Sequence, residues 1–369
     1  MTMRFARLAA LAVLALAPQA MAQTAPQPVQ VAFTDSTIAG LAPTKRVAIT
    51  SVIVSFQASV GTKKEGGGGM FADKSSTKSM MAMPDMDEGL QDVIVADAYR
   101  HLKADLIAAG YEIVPEADVA ADPSYKEIIS KVGFVNHSKA LNALGDAVLV
   151  SPPSLTPYMP YTMEGSPFES GVTSYLGWPS GWGKSATPGG FNLMTAATFY
   201  KLPGLEVALA KSLNANVVKA FYVVNIGKTT AAHSRSIGAV SGDFGRTGIG
   251  STYTGTASAF AQVGLMPDQT RIAFRSPTGN AKWQKVNLNK PGPAKDGDVV
   301  VHLAEPLLGG TDYFKISGDG GRERGKYILN VAEFEFTYFA TLTDNGAYQR
   351  DVEAMIASAT KSMVGLVAR

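Results

Sequence analysis

Hydrophobic residues along the chain fall into blocks whose spacing predicts strands alternating with helices. Residues 46–56 are dense in β-branched side chains, which is typical of a strand buried on both faces. From Asp87 onward, apolar residues recur at helical spacing and Gly110 follows the last of them, so the pattern predicts a helix between these two residues. Short apolar runs at 111–114 and 147–150 predict two further strands.

The second half of the chain is predicted to be mostly β-structure between two more helices. Asp122 followed by Pro123 predicts the start of a helix that runs through Ser130. The remaining predicted elements are a helix at 205–213, strands at 217–226 and 327–342, a hairpin with strands at 271–275 and 282–288, and a final amphipathic helix carrying Val352, Met355, Ile356, Ala359, Met363 and Val364. This succession predicts a single α/β (α+β) domain over residues 46–369, a mixed sheet with flanking helices and long β-hairpin excursions.

Two segments interrupt the regular pattern. Residues 61–86 contain four consecutive glycines and five methionines, and we interpret them as a mobile loop or the tip of a long hairpin. Residues 151–200 are rich in Pro, Gly, Tyr and Trp without any period, which is typical of an irregular surface insertion.

Sustained alternation of apolar and polar residues, broken only at Phe260 and Phe339, is the most informative pattern in the chain. It runs from Ser251 to Leu265 and again through residues 332–342. One interpretation is a membrane-spanning strand with one lipid-facing side, and the other is an antiparallel sheet with one side on a soluble core. Either way, the apolar sides are the expected membrane or partner surface: Tyr253, Ala257, Ala259, Ala261, Val263 and Leu265 from the first stretch, and Phe334, Phe336 and Tyr338 from the second.

The first 22 residues have the pattern of a cleavable export signal. A short basic region with Arg4 and Arg7 precedes an apolar stretch, and Ala20 and Ala22 form a small-residue cleavage site. We therefore expect the mature chain to begin at Gln23, with residues 23–45 as an N-terminal lead, and to reside in the periplasm or outer membrane.

Charge and cysteine content narrow the function classes. The two signal arginines account for the formal net charge of +2, so the rest of the chain is neutral and does not resemble a nucleic-acid binder. The absence of cysteine excludes disulfides, thiolate metal sites and a lipid-modified cysteine.

No motif predicts an enzyme or a cofactor. The four histidines are scattered singly, and neither a nucleophile elbow nor a zinc-binding H-E-x-x-H is present. The methionine group Met80, Met81, Met83 and Met86 could hold Cu(I), since thioethers suit this soft ion. The alternative is an apolar loop tip that touches a partner or membrane.

Three segments resemble the curli secretion channel family. They are YRHLKADLIAAGYEIVP at residues 99–115, LNANVVKAFYVVNIGK at 213–228 and RIAFRSPTGNAKWQ at 271–284. The resemblance implies an anticodon-binding-domain-like α/β fold, shared with the amino-terminal domain of the Tol-Pal β-propeller protein. In channel members, hairpins from several protomers assemble one channel, and a lipidated cysteine, missing here, anchors each chain.

The resemblance and the residue patterns together favour one function and leave one alternative. The favoured function is a non-enzymatic cell-envelope protein in assembly, secretion or outer-membrane organisation, as an oligomeric pore component of the curli channel type. Its expected partners are other envelope proteins or further copies of itself. The alternative is a soluble periplasmic protein that binds a small ligand, or copper through the Met-rich segment.

Overall fold

The computed structural model of the protein describes residues 29–33, 41, 43–66, 74–142, 145–158, 178–179, 202–241, 247–267, 269–279, 298–318, 322–324 and 331–368. The predicted export signal at 1–22 and most of the predicted insertion lie outside these residues. The predicted strand at 282–288 and Met70 lie outside them as well.

The described residues form five helices and sixteen strands, which confirms the mixed α/β fold class. The helices are α1 (Glu88–Ala108), α2 (Glu116–Ala121), α3 (Pro123–Val132), α4 (Leu202–Ser212) and α5 (Asn345–Val367). The strands are β1 (Val31–Phe33), β2 (Arg46–Gln57), β3 (Ser59–Gly66), β4 (Lys74–Ala82), β5 (Glu112–Ile113), β6 (Ser138–Asn142), β7 (Gly145–Val150), β8 (Trp178–Pro179), β9 (Asn216–Ser241), β10 (Thr247–Leu265), β11 (Arg271–Arg275), β12 (Asp298–Leu303), β13 (Leu307–Leu308), β14 (Phe314–Gly318), β15 (Arg322–Arg324) and β16 (Val331–Leu342).

A mixed sheet, here called the main sheet, forms the centre of the molecule. Its strand order is β1-β12-β11-β9-β2-β7-β6-β8, with β10 beside β9, β13 beside β10 and β5 beside β2. Strand β2 runs parallel to β9 and β5 and antiparallel to β7. Helices cover both faces of the main sheet: α1 and α5 pack on one face, and α3 and α4 pack on the other.

The two helical layers explain why β2 is mostly hydrophobic and buried along almost its whole length. Val47 and Ile49 face α1 and α5, whereas Ala48 and Ile53 face the opposite layer. All residues of β2 after Arg46 are buried. A strand covered on both faces favours a near-continuous apolar run over apolar residues at alternate positions.

Side-chain caps fix the starts of three of the predicted helices. Asp87, Asp122 and Asp344 each accept a hydrogen bond from a backbone N–H in the first helical turn, at 2.7, 2.7 and 2.9 Å. The predicted helix between Asp87 and Gly110 is confirmed, and Gly110 adopts the left-handed conformation just past its end.

The predicted pairing within residues 271–288 was wrong. Strand β11 lies where it was predicted, but β9 and β12 occupy its two edges. Since a strand has only two edges and both are occupied, β11 does not form the predicted hairpin. The second partner of β11 is instead β12, whose apolar run Val299–Val301 is buried. The predicted segment is less apolar, because its apolar residues alternate with polar ones.

Strands β9 and β10 form a long two-stranded ribbon that leaves the main sheet. Between Asn216 and Val224, β9 lies between β2 and β11. Beyond Val224, β9 pairs with β10 alone among the described strands, up to the pair Ser241 and Thr247. We call residues 225–241 and 247–262 the ribbon.

A second sheet, here called the cover sheet, lies over one face of the ribbon. Its order is β14-β16-β4-β3, with β15 beside β16. The strands β3 and β4 form an antiparallel hairpin, and β4 runs parallel to β16. Residues 61–86 therefore contain most of a long hairpin. Their composition had indicated either a mobile loop or the tip of such a hairpin.

Candidate functional site: the ribbon and its cover sheet

Strand β10 has a composition that is unusual for an edge strand. None of its 19 residues is Lys, Arg, Asp, Glu or Pro. Soluble proteins commonly protect exposed strand edges with these residues, because unpaired backbone N–H and C=O groups otherwise invite pairing with another strand. Along 247–261, the described structure contains no strand beside the outer edge of β10.

The two alternating stretches found in the sequence pack against each other. A Cβ atom built on Gly255 would lie 2.6 Å from the ring of Phe334, and the hydroxyl of Tyr338 donates a 2.9 Å hydrogen bond to the carbonyl oxygen of Ala257. Small residues on β10 thus leave room for aromatic residues on β16. This contact is the arrangement expected of an antiparallel sheet with one side on a core.

The predicted surface residues divide between two environments. Ala257, Ala259, Phe336 and Tyr338 are half-buried and Phe334 is buried between the ribbon and the cover sheet, together with Ala261. Val263 and Leu265 belong instead to the core beneath α1 and α5. Tyr253 pairs with Arg235 through the β9–β10 ladder, and its side chain lies outside the described part of the structure.

The opposite face of the ribbon is open to solvent and polar. Thr230 and Ser258 face each other across the ladder, with their hydroxyl oxygens 2.6 Å apart. Phe260 is 46% exposed, and the Lys228 ammonium lies 5.8 Å from the centre of its ring. Across residues 225–232 and 255–262, whose side chains the structure describes, the ribbon is therefore sheltered on one side.

The layer between ribbon and cover sheet contains buried hydroxyl groups. Thr62 donates a 2.8 Å hydrogen bond to the carbonyl oxygen of Thr229, and the hydroxyl of Thr229 donates back to that of Thr62 at 3.0 Å. Thr77 and Ser79 on β4 are fully buried, and their hydroxyls have no hydrogen-bond partner among the described residues. Each buried hydroxyl without a partner lowers the free energy of unfolding by about 1–3 kcal/mol.

Three of the four candidate copper ligands, Met81, Met83 and Met86, lie in or beside one apolar cluster of the described structure. Met81 is fully buried and Met83 nearly so, in an apolar cluster with Ile226, Ala261 and Ala340. Met80 precedes Met81 on β4, and successive residues of a strand point to opposite faces. Met86 is half-buried beside the same cluster. The four side chains therefore pack as core and surface residues of the cover sheet and its connection to α1.

Among the described residues, no group of three or more His, Cys, Asp or Glu side chains is placed to hold a metal ion. His137 contacts Asp92 at 2.9 Å, and His101 contacts Asp97 at 3.3 Å beside Arg100.

A buried charged cluster was missed in the sequence. The carboxylate of Glu206 on α4 accepts hydrogen bonds from the Lys219 ammonium at 2.5 Å and from Nε of Arg275 at 2.7 Å. Tyr158 donates to the same carboxylate at 3.3 Å, and its hydroxyl lies 2.7 Å from that of Thr50. All five residues are buried. The cluster joins α4 to β2, β9 and β11 on the face opposite α1.

The opposing charges set the protonation of this cluster. Burial raises the pKa of Glu206, but the nearby ammonium of Lys219 and guanidinium of Arg275 outweigh burial and hold it below its usual value. Burial and the Glu206 carboxylate raise the pKa of Tyr158 well above its usual value. Lys219 stands alone as a charge in the apolar run of β9, and a charge in a buried strand must be paired, which is the signal that could have revealed the cluster.

Comparisons with known proteins give no match, so the function of the site is inferred from its geometry. No protein-family model, curated protein or solved structure matches the chain. Across the part of the chain that the structure describes, no helix has the length and apolar character required to cross a membrane.

Proposed function

We propose that the protein is a non-enzymatic component of the cell envelope, acting in assembly, secretion or outer-membrane organisation, and that its ribbon is the element through which copies assemble. The uncharged, proline-free β10 edge carries this proposal. Such an edge can extend a sheet by pairing with a strand of another copy, because main-chain hydrogen bonds need no matching side chains.

Other features support the same proposal. The predicted export signal would deliver the chain to the envelope, and the neutral composition does not suit nucleic acid. The Glu206 cluster joins elements of the main sheet in a fully buried position, which suits a structural role better than a catalytic one.

The experiment is fractionation of cells that express the full chain, followed by chemical crosslinking. We expect the protein in the outer-membrane fraction after a high-salt wash, with crosslinked oligomers. A monomer released from the periplasm without detergent would contradict the proposal.

A charge on the ribbon tests whether β10 is the assembly element. Thr256 is exposed on β10, and Thr341 is an exposed threonine on β16 of the cover sheet. We expect Thr256→Lys to reduce the crosslinked oligomer at least tenfold, because a charge beside the edge opposes strand addition. The matched control Thr341→Lys should leave the oligomer unchanged. Equal oligomer in both variants would remove β10 from the assembly.

A further inference from the structure

We infer that the open edge of β10 pairs with β1 of another copy, and that Phe260 fills the groove between β1 and α5 of that copy. The pairing depends on the proposed function, because it names the strand to which β10 adds. Since β10 and β1 are different surfaces of one chain, each copy would present both halves of the contact, and successive copies would form a ring or a filament.

The distribution of charge distinguishes β1 and β10 from the other open edges. Among the described strands of three or more residues, these two are the edge strands without Lys, Arg, Asp, Glu or Pro. The other open edges contain charged residues: Lys63, Lys64 and Glu65 on β3, Lys228 and Arg235 on the ribbon part of β9, Lys315 on β14, and Arg322, Glu323 and Arg324 on β15. Because charged residues oppose strand addition, β1 is the described edge best suited to accept β10.

The backbone of β1 is oriented to accept a further strand. Strand β12 lies along one edge of β1, and none of the described strands lies along the other. On the β12 side, the carbonyl oxygen of Gln30 accepts a 2.9 Å hydrogen bond from the N–H of Ala304. The hydrogen-bonding groups of successive residues alternate between the two edges of an antiparallel strand. Those of Val31 and Phe33 therefore point to the open edge.

A groove of about 390 Å³ lies beside this open edge. Val29 and Val31 line one side, and Ser362, Gly365 and Leu366 of α5 line the other. A Cβ atom built on Gly365 would have nothing within 4 Å, so the space above this part of the helix is open. Clefts of this size hold drug-sized molecules, so a single aromatic ring fits.

Phe260 lies on the face of the ribbon that the neighbouring copy would meet. The cover sheet packs on the other face, at Gly255 and Ala257, so α5 of the neighbour has room over the face of Phe260. Phe260 is 46% exposed on β10, the outer strand of the ribbon. Insertion into the groove would remove its ring from water, which favours the contact.

Crosslinking between two variants tests whether β10 meets the groove of another copy. The chain has no cysteine, so introduced thiols are the only ones. Ser258→Cys places a thiol close to Phe260 on the exposed face, and Ser362→Cys places one in the groove. In cells that co-express both full-length variants with different tags, we expect a short bismaleimide to join the two tags. Each variant expressed alone should give at least tenfold less crosslinked product.

The matched control replaces Ser362→Cys with Thr341→Cys, whose thiol is exposed on the cover sheet. Co-expressed with Ser258→Cys, it should give no more product than the single variants. A crosslink in cells that express Ser258→Cys alone would overturn the inference and leave the proposed function standing, because β10 would then pair with β10. Absence of oligomers of the unaltered protein would instead contradict the proposed function, and the inference with it.

Filling the groove tests the role of Phe260 independently. We expect Gly365→Trp to reduce the crosslinked oligomer of the full chain at least tenfold, because the indole ring would occupy the space that Phe260 needs. Ala354 is exposed on the same helix away from the groove, so Ala354→Trp should leave the oligomer unchanged. Phe260→Ala should reduce the oligomer as well. Equal oligomer in the two tryptophan variants would overturn the inference.

Discussion

At the scale of single residues, Glu206 shows how one carboxylate can organise several elements. It is fully buried and contacts two cations and a tyrosine that come from β9, β11 and the segment after β7. Burying three charges is unfavourable unless each is paired, and here the geometry pairs them. Removing the central carboxylate would leave Lys219 and Arg275 as neighbouring buried cations.

We therefore expect Glu206→Gln to lower the free energy of unfolding by about 3–5 kcal/mol. The measurement is urea denaturation followed by circular dichroism at pH 7. Glu112→Gln is the control, because Glu112 is exposed and pairs with Arg46 at 3.1 Å on the surface. It should change stability by less than about 1 kcal/mol. Similar losses in the two variants would contradict a special role for the buried cluster.

The methionines of the cover sheet make a second residue-scale prediction. Met81 is fully buried and Met80 is half-buried on the opposite face of β4. Met81→Ala should cost about 2–5 kcal/mol, because it leaves a cavity in the apolar cluster. Met80→Ala should cost less than about 1 kcal/mol. Equal costs, measured by urea denaturation, would mean that the two side chains are not on opposite faces.

The copper hypothesis is tested separately from stability. Leucine at positions 80, 81 and 83 retains apolar volume and removes the thioether sulfur atoms. We expect titration with Cu(I) to give the same affinity for this triple variant and for the unaltered protein. A loss of tenfold or more in the variant would restore the copper-binding alternative.

At the scale of elements, the ribbon depends on a glycine at the point where it leaves the main sheet. Gly227 has a φ of +140°, and a Cβ atom there would lie 2.1 Å from the carbonyl oxygen of Phe260. Gly227→Ala should therefore destabilise the protein by about 1–3 kcal/mol or displace β10 locally. Thermal unfolding and amide exchange of β10 would report the two effects.

Gly365 provides the control for this substitution. It lies in α5, and nothing comes within 4 Å of a Cβ atom at that position. Gly365→Ala should stabilise the protein by about 0.5–1 kcal/mol, since alanine loses less backbone entropy in a helix. If Gly227→Ala also left the protein as stable as before, this result would contradict the close approach of β9 to β10 at Gly227.

Elements defined by local signals were predictable from sequence, and those defined by distant pairing were not. The cap at Asp87 and the dense β-branched run of β2 are local, and both predictions are confirmed. Strand β4 has the sequence KSSTKSMMA, which lacks a strand pattern. It is extended because it pairs with β3 and with β16, more than 250 positions away in the chain. No short window of sequence contains that information.

The candidate site likewise combines features that local sequence predicts with features that depend on distant contacts. Alternation predicted that residues 251–265 and 332–342 each have one apolar face, but alternation alone does not identify what covers that face. The structure places the two faces against each other, through Gly255 and Phe334. The Glu206 cluster was not predicted because its members, which include Lys219 and Arg275, are scattered along the sequence and meet only in the folded chain.

At the scale of the whole molecule, two layers of different character share one chain. The main sheet is covered by helices on both faces, whereas the described part of the ribbon is covered by a sheet on one face. This asymmetry places the most stable packing in the main sheet and the weakest in the ribbon region, where we propose that function resides.

Acid should destabilise the whole molecule partly through the Glu206 cluster. The pKa of Glu206 in the folded protein lies below its ordinary value of 4.5, because Lys219 and Arg275 outweigh the effect of burial. A carboxyl group whose pKa is lowered by folding stabilises the folded protein. This stabilisation is fully present at pH values above the pKa of the group in the unfolded chain, and it is lost as the pH falls toward the pKa in the folded protein. The contribution of Glu206 should therefore be constant from pH 7 to about 5.5 and decline below about 4.5.

The measurement is the urea midpoint of the unaltered protein and of Glu206→Gln from pH 7 to pH 3. We expect the difference between their unfolding free energies to be largest at neutral pH and to narrow below pH about 4.5, because protonation removes the same charge that the substitution removes. Other carboxyl groups titrate in both proteins, so their effects cancel in this difference. Two curves that stay parallel down to pH 3 would mean that the buried carboxylate is not stabilised by its cations.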